Sequence, residues 1–211
     1  MKEGFIVAYH HEVLPAWERC SVLLGKAPAV LSLDFHTDVL NCAARGVLPE
    51  TVPEALDKLH HDEHFDWALR AGIISRAVII SLSPCAVQPE HPALEVRRSK
   101  DLPDLEAMLN SPEDFREMAG MVLDDRFLAP LLTDGFPHGE YILDIDCDVV
   151  MCEAALHPEQ SSLIDTLASN AAMITFSREE EWIRILKLPG ETIDGFSVSG
   201  ELCRRWGVNI F

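Results

Sequence analysis

The chain has 211 residues, 48% of them hydrophobic, a length and composition that suit one domain with a sizeable core. Its 35 acidic residues against 17 basic ones leave a formal charge of −18. That balance argues against a nucleic-acid binder, which needs a basic surface, and against an anionic membrane surface, whereas it suits a cationic ligand or a metal ion.

The first residues, Met1 to Tyr9, lack the long apolar core and small-residue cleavage site of a secretory leader. No apolar stretch approaches the roughly 18 residues of a membrane span. Cys20, Cys42, Cys85, Cys147, Cys152 and Cys203 include no CxxC pair and read as reduced packing residues of a cytoplasmic protein.

Five short apolar runs follow in chain order: Gly4–Tyr9, Ala29–Leu33, Ala77–Leu82, Tyr141–Ile145 and Ala172–Phe176. Each is nearly continuous rather than alternating, the pattern of strands covered on both faces of a parallel sheet. Between them, Pro53 to Ala71 predicts a helix that opens on a first-turn proline and stops at Gly72. The string Ser111-Pro112-Glu113-Asp114 predicts another helix start, and Pro158–Ser169 and Arg178–Leu188 predict two more helices. Strands and helices taking turns predict an α/β fold with right-handed crossovers, in one domain over 1–211. The stretch Ser83–Leu105, rich in proline and charge, reads as a surface excursion. Neither GxGxxG nor GxxxxGK[ST] occurs, so nucleotide binding through those loops has no support.

Ligands of open α/β sheets bind at the carboxyl ends of the strands. His10, His11 and Glu12 follow the first run, and Asp34-Phe-His36-Thr-Asp38 follows the second. Asp144, Asp146 and Asp148 lie in or after the fourth, and Ser177-Arg178-Glu179 follows the fifth. Asp34, His36 and Asp38 at spacing two share one side of an extended segment. Asp144 and Asp146 repeat that spacing inside an apolar strand, where an unpaired carboxylate costs several kcal/mol. Carboxylates crowded at one edge repel, and divalent cations remove the conflict. Such a donor set suits Mn²⁺, with Fe²⁺, Co²⁺, Ni²⁺ and Zn²⁺ as other ions that it accommodates. Shared carboxylates predict two ions roughly 3.5–4 Å apart, acidifying a common water.

These residues also carry a resemblance. Asp34-Phe-His36-Thr-Asp38-Val-Leu-Asn41 resembles the DxHTDxN signature of arginases and related ureohydrolases, and Asp144-Ile-Asp146 resembles their SxDxD signature. His10-His11-Glu12-Val13-Leu14-Pro15 and Leu143-Asp-Ile-Asp-Cys-Asp148 most resemble the peptide arginase branch, which hydrolyses arginine side chains in peptides. The resemblance implies a three-layer arginase/deacetylase-like fold with a mainly parallel central sheet. It implies two manganese ions per chain and conversion of arginine, free or in a peptide, to ornithine and urea.

By that resemblance His10, Asp34, Asp38 and Asp144 would hold one ion, and Asp34, His36, Asp144 and Asp146 the other. Asp38 would also orient the attacking oxygen, and Glu179 would hold the substrate guanidinium. The departing amine needs a proton. His60, His61 and His64 are the candidates, and His64 is preferred. Where arginases carry Gly-Gly-Asp before the first ligand this chain has Val7-Ala8-Tyr9, which leaves His10 or His11 as that ligand; His10 is favoured. Asp148 is assigned a supporting place. The substrate would be an arginine-containing peptide or a small guanidino compound, and a homo-oligomer is left open.

Three other readings compete. Leu143-Asp-Ile-Asp also resembles the nucleophile motif of haloacid-dehalogenase-type phosphatases, with Asp144 attacking phosphate. A zinc deacetylase-like hydrolase would hold one ion and need a pair of histidines as base. A non-catalytic module would use the acidic pocket to bind basic peptides.

Overall fold

A computed structural model of the chain describes residues 2–46, 48–84, 87–102 and 112–210. The apolar runs form β1 (Lys2–Val7), β2 (Ala29–Asp34), β3 (Arg76–Ser81), β5 (Tyr141–Asp146) and β6 (Met173–Ser177). Two further strands, β4 (Leu94–Arg97) and β7 (Val208–Ile210), complete one seven-stranded sheet in the order β4-β3-β2-β5-β6-β1-β7. Every neighbouring pair is parallel.

The helices are α1 (Leu14–Leu24), α2 (Val52–Lys58), α3 (His64–Arg70), α4 (Pro112–Gly120), α5 (Asp125–Leu128), α6 (Ser162–Asn170), α7 (Glu180–Leu186) and α8 (Gly195–Trp206). They cover both faces of the sheet. On one face Leu31, Leu33, Leu143, Ile145, Ile174 and Phe176 pack with residues of α4 to α8. On the other, Val30, Ile142 and Met173 pack with Trp17 of α1, Val52 of α2 and Phe65 of α3. Burial on both sides is why these strands read as continuous apolar runs.

Two expectations are corrected. The Ser83–Leu105 excursion contains β4, paired with β3 from Ala77↔Leu94 to Ile80↔Arg97. As an edge strand it alternates Leu94 and Val96 with Glu95 and Arg97, so no continuous run marks it. The helix expected over Pro53–Ala71 is two helices with a break. Leu59 turns extended (φ −78°, ψ 150°), and a 3₁₀ turn over His61–Glu63 precedes α3. Arg45 fixes the break: it donates to Glu63 at 2.6 Å and to the Lys58 carbonyl at 3.1 Å. The expected stop at Gly72 is present, in the left-handed region at φ 71°. α4 begins at Pro112, whereas Ser111, the cap read from sequence, lies outside the described residues.

No helix among the described residues is long and apolar enough to cross a membrane. Cys20, Cys42, Cys147 and Cys152 are buried free thiols, Cys203 is partly buried, and Cys85 lies outside the described residues.

Strand order sets where a ligand can enter. From β2 the chain steps outward to β3 and β4, and from β5 it steps the other way to β6. The order reverses between β2 and β5, and the crevice beyond the carboxyl ends of two such strands is the usual binding place of open α/β sheets. Asp34 ends β2 and Asp146 ends β5.

Candidate metal centre

His10 is placed by the turn after β1. The N–H of Arg178 donates to the Val7 carbonyl (3.1 Å) and that of Glu179 to the Ala8 carbonyl (3.0 Å), which continues the β1–β6 pairing past the strand ends. Glu12 then folds back, its Oε2 accepting the N–H groups of Ala8 (3.0 Å) and Tyr9 (3.1 Å). The resulting 3₁₀ turn over His10–Val13 drives the His10 ring inward to 1% exposure. His11 takes the other direction, near Tyr9 and His61. Of the two histidines, His10 is the one that reaches the acids.

Nδ1 of His10 faces three carboxylates at once: Asp38 at 3.0 Å, Asp146 at 3.2 Å and Asp34 at 3.5 Å. One ring nitrogen can serve one hydrogen bond, so this convergence exceeds what hydrogen bonding uses. A second group lies beside it. Nδ1 of His36 is 2.9 Å from Oδ2 of Asp148 and 3.9 Å from Oδ1 of Asp34. Oδ2 of Asp34 and Oδ2 of Asp148 are buried and receive no hydrogen bond. Ligand atoms of His10, Asp34 and Asp146, and of Asp34, His36 and Asp148, lie within 4.8 Å of one another in each group. Asp34 belongs to both.

Asp144, expected as a shared ligand, belongs to neither group. Its Oδ2 accepts from Ser32 Oγ (2.7 Å) and lies 2.7 Å from Nε2 of His10, and its Oδ1 accepts from Thr175 Oγ1 (2.5 Å). It is fully buried. The motif is displaced by one repeat of the pleat, because β5 runs to Asp146 and puts Asp144 one layer below the sheet edge. Asp146 and Asp148 stand where Asp144 and Asp146 were expected. Asp144 has both oxygens engaged by Ser32, Thr175 and His10, an environment that the phosphatase reading does not account for.

The three histidines after β2 separate. His60 accepts from Arg45 (2.8 Å) at the surface, His61 begins the 3₁₀ turn, and His64 begins α3. His64 is fully buried, its Nδ1 2.6 Å from the His61 carbonyl and its ring 4.5 Å from that of His10. Burial, reinforced by His10, lowers its pKa to about 3. His64, the expected proton donor, is thus held neutral, with ligand atoms grouped with those of His10 and Asp38 and its Nε2 buried without a hydrogen bond, and His61 is the histidine of the three that lines the mouth.

That mouth is a cavity of about 120 Å³ lined by His36, Asp38, His61, Asp62, Asp146, Glu179 and Trp182. Glu179 sits at its edge, and its Oε1 accepts the His10 N–H at 2.6 Å. Trp182 packs edge-on to His36 at 4.6 Å between ring centres. Asp62 and Trp182 had no signal in the sequence beyond lying near other candidates. Among the described residues, Asp38 (φ 44°) and Glu179 (φ 42°) are the non-glycine residues in the left-handed region. Such strain persists where surrounding structure imposes it, and here both residues line the mouth.

Burial and close neighbours shift the ionisation of these side chains. Burial would lower the His10 pKa, but Asp144 and Asp146 raise it well above the ordinary imidazole value. Burial, followed by the charges of Asp38, Asp146 and Asp148, pushes Asp34 well above the usual carboxylate range. Burial and Asp148 do the same to Asp146. Burial also raises Glu179. Asp144 goes the other way: burial is outweighed by His10, Thr175 and Ser32, which hold it low. Oxygen donors with one imidazole in each group, two orphaned carboxylate oxygens and mutual repulsion between acids together fit divalent cations.

No protein-family model matches the sequence, and no curated protein matches it. Solved structures do. Proclavaminate amidino hydrolase from Streptomyces clavuligerus aligns over 96% of this chain and 63% of its own, with a TM-score of 0.50 and 15% identity. A hypothetical agmatinase from Burkholderia thailandensis aligns over 95% of this chain and 57% of its own, with a TM-score of 0.51 and 14% identity. The chain therefore has the arginase-like fold, and it spans less than two thirds of the length of these two relatives.

Proposed function

We propose that this chain hydrolyses guanidino C–N bonds with the help of two divalent cations, manganese by preference. The observation that carries this reading is the pair of donor groups sharing Asp34, set at the switch point of a sheet whose fold matches amidino hydrolases. His10, Asp34, Asp38 and Asp146 would hold one ion, and Asp34, His36, Asp146 and Asp148 the other. Ions so placed supply Lewis acidity and a water acidic enough to act as a nucleophile at neutral pH.

The chain's own residues do the rest. Glu179 binds the planar cation: its Oε1 is fixed by the His10 N–H, and Oε2 remains for a guanidinium nitrogen. Asp38, held at a strained φ beside His10, directs the attacking oxygen toward the guanidinium carbon. As the new C–O bond forms and the C–N bond to the substrate stem breaks, the leaving amine takes a proton. His61 at the mouth supplies it. Urea and a primary amine result.

The mouth is small beside ordinary ligand cavities, so it takes a guanidinium head while the remainder of the substrate lies at the rim. Exposed Trp182 offers apolar surface there. Arginine, either free or within a peptide, fits that division. Urea release from arginine, agmatine and arginine-containing peptides in the presence of Mn²⁺ tests the reading. Release from at least one supports it; two bound ions with no release from any refutes the substrate class.

A further inference from the structure

The sheet register sets Asp144 between two hydroxyls. Ser32 of β2 and Thr175 of β6 are its direct partners on the strands to either side. The three residues form a row across the sheet, one pleat repeat below Asp34, Asp146 and Ser177. Ser32 and Thr175 both donate to the carboxylate. The Trp17 indole N–H in turn donates to Thr175 Oγ1 at 3.3 Å, which leaves the threonine proton for Asp144. The remaining partner of Asp144 is Nε2 of His10 at 2.7 Å.

Both oxygens of Asp144 are thus occupied, and none of the donors comes from the mouth. An ordered anion in that place has one directional consequence. It accepts a hydrogen bond from Nε2–H of the imidazole and so leaves the lone pair of the neutral ring on Nδ1, which faces Asp34, Asp38 and Asp146. A carboxylate behind a ligating histidine fixes ring orientation and tautomer and raises the basicity of the other nitrogen. We infer that Asp144 is a positioning residue: it locks His10 as the Nε2–H tautomer and presents Nδ1 to the cation, with Ser32 and Thr175 steadying the carboxylate. This rests on the metal-dependent reading above and adds to it a residue that touches neither substrate nor ion.

The test is Mn²⁺ affinity, measured by calorimetry on the full chain and on Asp144→Asn. Asparagine keeps the shape: one hydroxyl can still donate to its carbonyl oxygen, and the other can turn to accept from its amide nitrogen. Binding about 10- to 100-fold weaker than wild type is expected, the usual cost of losing such a partner. Ser32→Ala and Thr175→Val should each weaken binding less, in the same direction. A purely structural role would not predict the second readout, the ¹⁵N spectrum of His10 in the Zn²⁺-loaded chain. It should show metal on Nδ1 and a slowly exchanging proton on Nε2, which in Asp144→Asn exchanges faster. Wild-type affinity in Asp144→Asn, or metal on Nε2, overturns the assignment and leaves the proposed function standing. A wild-type chain that takes up no divalent ion overturns both.

Discussion

Nδ1 of His36 and Oδ2 of Asp148 lie 2.9 Å apart, one just past β2 and the other in the turn after β5, yet that oxygen receives no hydrogen bond. An imidazole nitrogen and a carboxylate oxygen are both ligand atoms, and a cation between them would satisfy that oxygen. Asp148→Ala should therefore lower bound manganese from about two ions per chain to about one, the separation of roles expected of a two-ion site. Metal analysis of dialysed protein checks it; unchanged stoichiometry removes Asp148 from the donors.

His61 and His64 should behave differently when replaced. His61→Ala should cut turnover roughly 10²- to 10⁴-fold, the range of a lost general acid, with metal content unchanged and partial rescue by added imidazole. His64→Gln should leave the rescue behaviour of the wild type untouched. Imidazole rescue of His64→Gln in place of His61→Ala would return the proton-transfer role to His64.

Metal uptake should release protons. His10, Asp34 and Asp146 all have raised pKa values, so the metal-free chain holds protons there that bound cations displace. Calorimetric titrations at one pH in buffers of differing ionisation enthalpy should give different apparent enthalpies. Equal enthalpies across buffers would mean that the acids are already ionised.

His64 makes a pH-dependent contribution to stability. Its pKa falls from 6.5 to about 3 on folding, so between those values the unfolded chain binds the proton and the folded chain does not. Stability from this group is complete above the unfolded value and is lost as pH falls through the window, by on the order of 5 kcal/mol at most. Asp34 and Asp146 give the opposite slope, but they are common to wild type and His64→Gln, so the difference between the two isolates His64. Urea midpoints measured from pH 7 to pH 4 should converge at low pH. A constant difference would show that His64 is not neutral in the fold.

Much of this was legible in the sequence because burial on both faces writes itself as unbroken apolar runs. All five such runs are central or near-central strands. β4 was illegible because an edge strand alternates, and β7 because three residues carry no pattern. The polar residues gathered at the switch point were also readable, since His10, Asp34, His36, Asp38 and Asp146 all come together there. What the sequence could not show was depth. Asp144, Asp146 and Asp148 repeat at spacing two, and only the end of β5 at Asp146 tells which of them stands below the edge. Likewise, spacing placed His61 and His64 on one helix face, whereas the break held by Arg45 puts one in the mouth and the other in the core.

The most direct test is a crystal of the manganese-loaded chain with anomalous data at the manganese edge. Two peaks roughly 3.5–4 Å apart are expected, with Asp34 and Asp146 between them, His10 at one and His36 with Asp148 at the other. A single peak, or Asp144 turned out of its hydroxyl row to bind an ion, would contradict the account.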